Sequence, residues 1–146
     1  MRWSKLKQLI EDRMAPSLQH RVEVHSTRYH NDRWQEDSRG WFTIDKREVA
    51  DFSSCMIYVP SLGNSGPILS EKEKFEQAVS AVLSLSVNEM VVSENAVIRA
   101  LAMLDSRLGK RRLRALRLGD DEHPLVRQFY ILRCEAEGTK AQTIAA

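Results

Sequence analysis

The residues of this chain best suited to chemistry are cations. Arg107, Lys110, Arg111, Arg112, Arg114 and Arg117 place six positive charges within eleven positions. Such a run neutralises phosphates or carboxylates, which suits a polyanion or an acidic protein partner. At helical spacing Lys110, Arg114 and Arg117 share one face. The same run also suits a solvated helix face, paired in part with Asp105 and the run Asp120-Asp121-Glu122. Charge clustering alone discriminates poorly between these readings. No aromatic residue lies among the cations, so the base stacking of single-strand binders is missing. No helix-turn-helix or zinc-finger pattern accompanies them.

Other reactive residue types are scattered. His20, His25 and His30 are spaced by five. Along one strand an odd spacing sends neighbours to opposite faces, so they form no shared metal site without a bend. His123 precedes Pro124 and reads as a helix start. Cys55 and Cys134 lie far apart, outside any C-x-x-C pair, which fits two free thiols in a reducing cytoplasm. Nothing in the sequence places Cys55 beside His25 as a thiol–imidazole pair. Asp45 and Glu48 are explained by a hairpin turn. There is no nucleophile elbow, P-loop or Gly-rich dinucleotide loop, so no catalytic, metal or cofactor residue is assigned. A second surface candidate is Arg28, Tyr29 and Trp34 with Trp41, since interface centres favour arginine and aromatic side chains. The alternative is that Trp41 is core and Trp34 covers a sheet edge.

The elements that must position these residues follow from periodicity. Trp3, Leu6 and Ile10 predict a helix over 2–14, ended by Pro16. Val22 and Val24 alternate with polar residues and predict a strand over 20–29. Asn31 to Arg39 reads as a loop. Residues 40–45 and 47–52 read as a hairpin turning at Asp45-Lys46, a weaker turn than Asp-Gly because Lys46 resists positive φ. Cys55 to Val59 reads as a further strand, and Pro60 to Pro67 as a loop.

Ser70-Glu71-Lys72-Glu73 is a capping box that opens a helix with the stripe Phe75, Ala78, Val79 and Val82. Ser93 reads as the cap of the next helix, striped by Val97, Ala100, Leu101, Leu104 and Leu108. Continued at about 100° per residue, Leu113 and Leu116 fall roughly 130° from that stripe. The chain must therefore break near Gly109 and form a separate short helix over 110–118, closed by Gly119. Asp120-Asp121-Glu122 and Pro124 start a last helix, which buries Leu125, Phe129, Leu132 and Ala136 and stops near Gly138.

The expected fold is α+β: an N-terminal helix, a small antiparallel sheet of three to four strands, then about four helices packed on one face. Residues 1–138 read as a single domain and 139–146 as a frayed tail. The 146 residues carry a net charge of only +2, but 105–133 hold eight Lys/Arg against four Asp/Glu. No apolar run approaches the roughly 18 residues of a membrane span, and Met1 to Asp12 lacks an export signal core, which points to the cytoplasm.

Several segments, Trp3 to Glu11, Gly40-Trp-Phe-Thr-Ile-Asp45, Leu101 to Leu113, His123 to Arg127 and Leu132-Arg-Cys-Glu135, resemble a family of short bacterial proteins of uncharacterised function. The resemblance spans nearly the whole chain. It implies a bacterial, cytosolic, stand-alone domain and brings no activity, cofactor or catalytic residue. In that family the hairpin turn reads Asp-Gly, and Asp45-Lys46 departs from it. The functional expectation is a non-enzymatic domain that binds another protein. The alternative is nucleic-acid or polyanion binding through the basic helix 107–117.

Overall fold

The computed structural model describes residues 1–30, 36–55 and 71–141. Helix α1 spans Trp3–Asp12 and buries Leu6 and Ile10, as the spacing predicts. Residues 13–15 then run beside 104–106. The Ala15 N–H donates to the Leu104 carbonyl at 2.8 Å, and the Ser106 N–H donates to the Arg13 carbonyl at 2.8 Å.

Strands β1 (Val22–His30), β2 (Glu36–Ile44) and β3 (Arg47–Cys55) form an antiparallel sheet in the order β1-β2-β3. Strand β2 starts at Glu36, so residues 36–39 are strand where a loop is predicted; residues 31–35 lie outside the described residues. Val24 stands opposite Phe42, and Val22, Val24 and Phe42 are all buried on the inner face. Among the described residues strand β1 is an edge, and α1 covers part of it. Lys7 donates to the Val24 carbonyl at 2.9 Å, while Glu11 accepts the Val24 N–H at 3.0 Å. That satisfies backbone groups an open edge would offer to another chain. Cys55 ends β3, and the strand read over 56–59, the loop at 60–67 and the Ser70 cap lie outside the described residues.

The hairpin turns at Asp45 (φ 50°) and Lys46 (φ 70°), both left-handed. This is the two-residue geometry that favours Asn-Gly or Asp-Gly. Arg21 grips the Asp45 carboxylate with two bonds of 3.0 Å and holds its carboxyl below the usual range. The Lys46 ammonium pairs with Glu23 but is largely exposed, so that pair contributes little. A Cβ in the left-handed region costs about 1 kcal/mol. Lys46→Gly therefore raises stability, by about 0.5–1 kcal/mol. A urea titration checks this: the midpoint rises with an unchanged slope, and a lower midpoint shows that the turn carries no strain.

Helix α2 (Glu71–Ala81) buries Phe75, Ala78 and Val79, and Val82 follows in a 3-10 turn. Helix α3 (Val87–Val91) is not among the predicted elements. It opens with a capping box in which Ser86 accepts the Glu89 N–H and the Glu89 carboxylate accepts the Ser86 N–H, both at 3.2 Å. Helix α4 (Ala96–Leu104) is capped by Asn95, not Ser93. Its Oδ1 accepts the Val97 and Ile98 N–H groups, while Ser93 accepts the Asn95 N–H. Helix α5 spans Lys110–Ala115 and α6 spans Pro124–Glu137. In α6 the proline takes the first turn, and the His123 Nδ1 accepts the Leu125 N–H at 3.1 Å. Gly138 (φ 68°) closes it in a Schellman motif, with the Thr139 N–H donating to the Cys134 carbonyl at 2.8 Å.

One buried cluster joins these elements. At its centre Phe42 meets Phe75 and Phe129 edge-on, with ring centroids 5.4 and 5.1 Å apart. No helix among the described residues is long and apolar enough to cross a membrane.

Candidate functional site

The basic helix exists because α4 stops early. Asp105 leaves the helical region (ψ 130°), and its Oδ1 accepts the Arg107 N–H at 2.8 Å. An aspartate that bonds the amide two residues on offers the chain a turn in place of the next helical bond. The break therefore falls at Asp105, four residues before the predicted glycine. Gly109 has φ −76° and ψ 167° and stands at the N-cap of α5, so no left-handed glycine ends α4.

Arg107 is engaged in that turn. It donates to both oxygens of the buried Asp105 carboxylate, at 3.0 and 2.8 Å, and to the Leu85 carbonyl at 3.1 Å. The bond to Asp105 raises its pKa further. The turn is braced from inside by Arg133, which is 3% exposed. Arg133 donates to the carbonyls of Met103, Asp105 and Leu108 at 3.1, 2.9 and 2.7 Å. It also donates to the Glu137 carboxylate at 3.0 Å, which accepts the Ser17 hydroxyl at 3.0 Å as well. Burial works to raise the Glu137 pKa, but the bonds from Ser17 and Arg133 outweigh it and hold the carboxyl below its usual range. Sequence reasoning missed Arg133. The signal was present: Val126, Phe129, Tyr130 and Arg133 stand at i, i+3, i+4 and i+7, so the arginine occupies the buried stripe of α6.

Mounted on this brace, α5 buries Leu113 completely. Its cations stand out to solvent: Lys110, Arg111, Arg112, Arg114 and Arg117 are all exposed. At about 100° per residue, Arg111 stands opposite Leu113, Arg112 and Arg114 flank it on either side, and Lys110 lies nearer the Leu113 side. Arg117 does not extend that face, because α5 ends at Ala115 and the chain turns at Leu116 (ψ 140°). Its guanidinium folds back on the carbonyls of Arg114 and Leu116, both at 3.2 Å. The acidic neighbours do little to neutralise the helix. Lys110 lies 3.9 Å from Glu137, too far for a strong bond. Glu122 turns instead to Arg99, which donates to it at 2.8 Å. Burial opposes the charge on Glu122, but the bonds from Arg99 and the His123 amide keep its pKa lowered. The guanidiniums of Arg111, Arg112 and Arg114 have no hydrogen bond or ion pair among the described residues.

The second candidate surface is only partly placed. Trp34 lies outside the described residues, and so do the side chains of Arg28 and Tyr29. Trp41 is not core. It is half-buried on the face opposite Phe42, stacked on His25 at 5.0 Å and under Arg39 at 4.3 Å. Burial, with help from the Lys7 charge, lowers the His25 pKa, and its Nε2 lies 3.2 Å from the Thr43 hydroxyl. His20 occupies a left-handed turn position (φ 68°) before β1, the strand that carries His25. Cys134 is buried and free, and burial raises its thiol pKa. Among the described residues no three His, Cys, Asp or Glu side chains converge to hold a metal ion.

A protein-family model described as the SF0329 protein family matches residues 2–65 and 67–134. No curated protein and no solved structure matches the chain.

Proposed function

The chain belongs to the SF0329 protein family, and from that premise we propose that it is a non-enzymatic interaction domain that binds an acidic protein through the outward face of α5. The observation that carries this reading is the trio of unpaired guanidiniums, Arg111, Arg112 and Arg114, on a helix clamped by buried Leu113 and Arg133. Cations held on a rigid mount lose little freedom on binding, so more of their charge attraction survives as affinity. Two features favour a protein over a nucleic acid. The chain's net charge is only +2, which gives little long-range attraction to a polyphosphate. No aromatic side chain stands among the cations to stack a base.

The test compares an acidic synthetic peptide with a short DNA duplex across a salt series. The peptide binds the wild type, and Arg111→Glu with Arg114→Glu weakens it at least tenfold without moving the thermal midpoint, because both side chains are exposed. Tighter binding to the duplex, with log K falling at a slope near −3 to −4 against log salt, replaces the protein partner with a nucleic acid. Binding of neither removes the α5 reading.

A further inference from the structure

Helix α6 is capped by a histidine, and that cap works in only one charge state. His123 stands outside the helical region (φ −58°, ψ 137°), and Pro124, at the first helical position, has no N–H to satisfy. The next N–H, that of Leu125, donates to His123 Nδ1 at 3.1 Å. A ring nitrogen accepts only when it carries no proton of its own, so the capping ring is neutral with its hydrogen on Nε2. Protonation of Nδ1 turns the acceptor into a donor and ends the bond. It also sets a positive charge against the positive end of a 14-residue helix. Histidine is the side chain that changes charge between about pH 5 and 8, and His123 is exposed to solvent.

The charged ring has a second partner within reach. The Glu122 carboxylate already accepts the His123 N–H at 2.7 Å, and Arg99 of α4 holds it there at 2.8 Å. Other charges bear on the balance. Arg99 from α4 and Arg127 from α6 oppose a positive ring, while Asp120 and Asp121, both exposed in the same connection, favour it. We propose that His123 is a pH-sensitive cap: neutral, its ring holds the first turn of α6, and protonated, it leaves the Leu125 amide for the Glu122 carboxylate and that turn loosens. The loosening reaches the connection from α5, because Arg127, in the first turn of α6, donates to the Gly119 carbonyl at 2.6 Å. The connection is therefore tight at neutral and alkaline pH and loose in acid. This device does not depend on what α5 binds.

The test follows the His123 ring and the Leu125 amide together by NMR from about pH 8 to about pH 5. In the wild type both titrate at one midpoint, and the Leu125 amide proton moves upfield as it loses its acceptor. His123→Asn supplies a cap that does not titrate, so Leu125 keeps its high-pH position throughout. Glu122→Gln removes the carboxylate that receives the ring, so the transition moves to lower pH. Urea unfolding gives the size. At about pH 8 His123→Ala lowers the folding constant about fivefold, as the loss of an ordinary cap does, and in acid it lowers it less. A Leu125 amide that ignores the titration of the ring, a transition that survives in His123→Asn, or an equal loss for His123→Ala at both pH values overturns the proposal. An unmoved transition in Glu122→Gln overturns the part given to that carboxylate.

Discussion

Replacing Arg133 by methionine lowers stability by about 3–5 kcal/mol. The substitution nearly conserves volume and apolar contact, so what it removes is hydrogen bonding. Three carbonyls, those of Met103, Asp105 and Leu108, lose their donor at the buried guanidinium. Glu137 keeps the Ser17 hydroxyl but loses its nearest cation. A buried acceptor left without a donor costs about 1–3 kcal/mol, and the three share one relaxed turn, so their costs do not add fully. Arg133→Lys recovers only part of the loss, because a single ammonium cannot span carbonyls that the guanidinium reaches from two nitrogens. Urea unfolding gives the magnitude. Limited trypsin digestion gives the place, with cleavage appearing first after Arg111, Arg112 and Arg114, whose helix has lost its mount. A loss below about 1 kcal/mol for the methionine variant shows that the turn finds other donors and does not depend on Arg133.

Much of this fold was legible because apolar residues repeat at the two structural periods. Val22 and Val24 at period two and the stripes of α2, α4 and α6 at period 3.6 mark elements that bury one face. The separate α5 was legible by the same arithmetic, since Leu113 and Leu116 point away from the α4 stripe. Strand β2 shows where periodicity runs out. Its first residues, Glu36-Asp-Ser-Arg39, carry no strand pattern, yet β1 and β3 flank them and supply backbone partners. Helix α3 is five residues long, too short for a stripe, and only the Ser86–Glu89 spacing marked it. The outward direction of Trp41 could have been read from parity, because Phe42 beside it faces Val24 in the core.

The candidate site was less legible, for a different reason. Composition locates cations, but it does not say which are already used. Arg107 is engaged by Asp105 two residues away, and Arg117 by the carbonyls of Arg114 and Leu116 at the end of α5. Arg133 is consumed by carbonyls 25 to 30 residues upstream, a pairing no local pattern encodes. What remains, Lys110, Arg111, Arg112 and Arg114, is a smaller cationic surface than the sequence offers, and it is set by the packing of α4 against α6. Partners differ in how strongly they sense this. Each cation removed from a phosphate-binding set flattens the salt dependence by about one charge, so the salt slope itself counts how many of the six cations face a ligand.

Gly40→Val is expected to be nearly as damaging as the loss of Arg133. Gly40 is buried in β2, and a Cβ built there would overlap the Phe75 ring. That ring has no free direction. It is 1% exposed, edge-on to Phe42 at 5.4 Å and against Trp3 at 6.3 Å. Even Gly40→Ala therefore forces β2 and α2 apart, at a cost of about 1–3 kcal/mol, and valine costs more. A double-mutant cycle identifies the contact. Phe75→Leu leaves room beside the strand, so Gly40→Ala costs at least about 1 kcal/mol less in that background than alone. Strict additivity in the cycle excludes the ring as the cause.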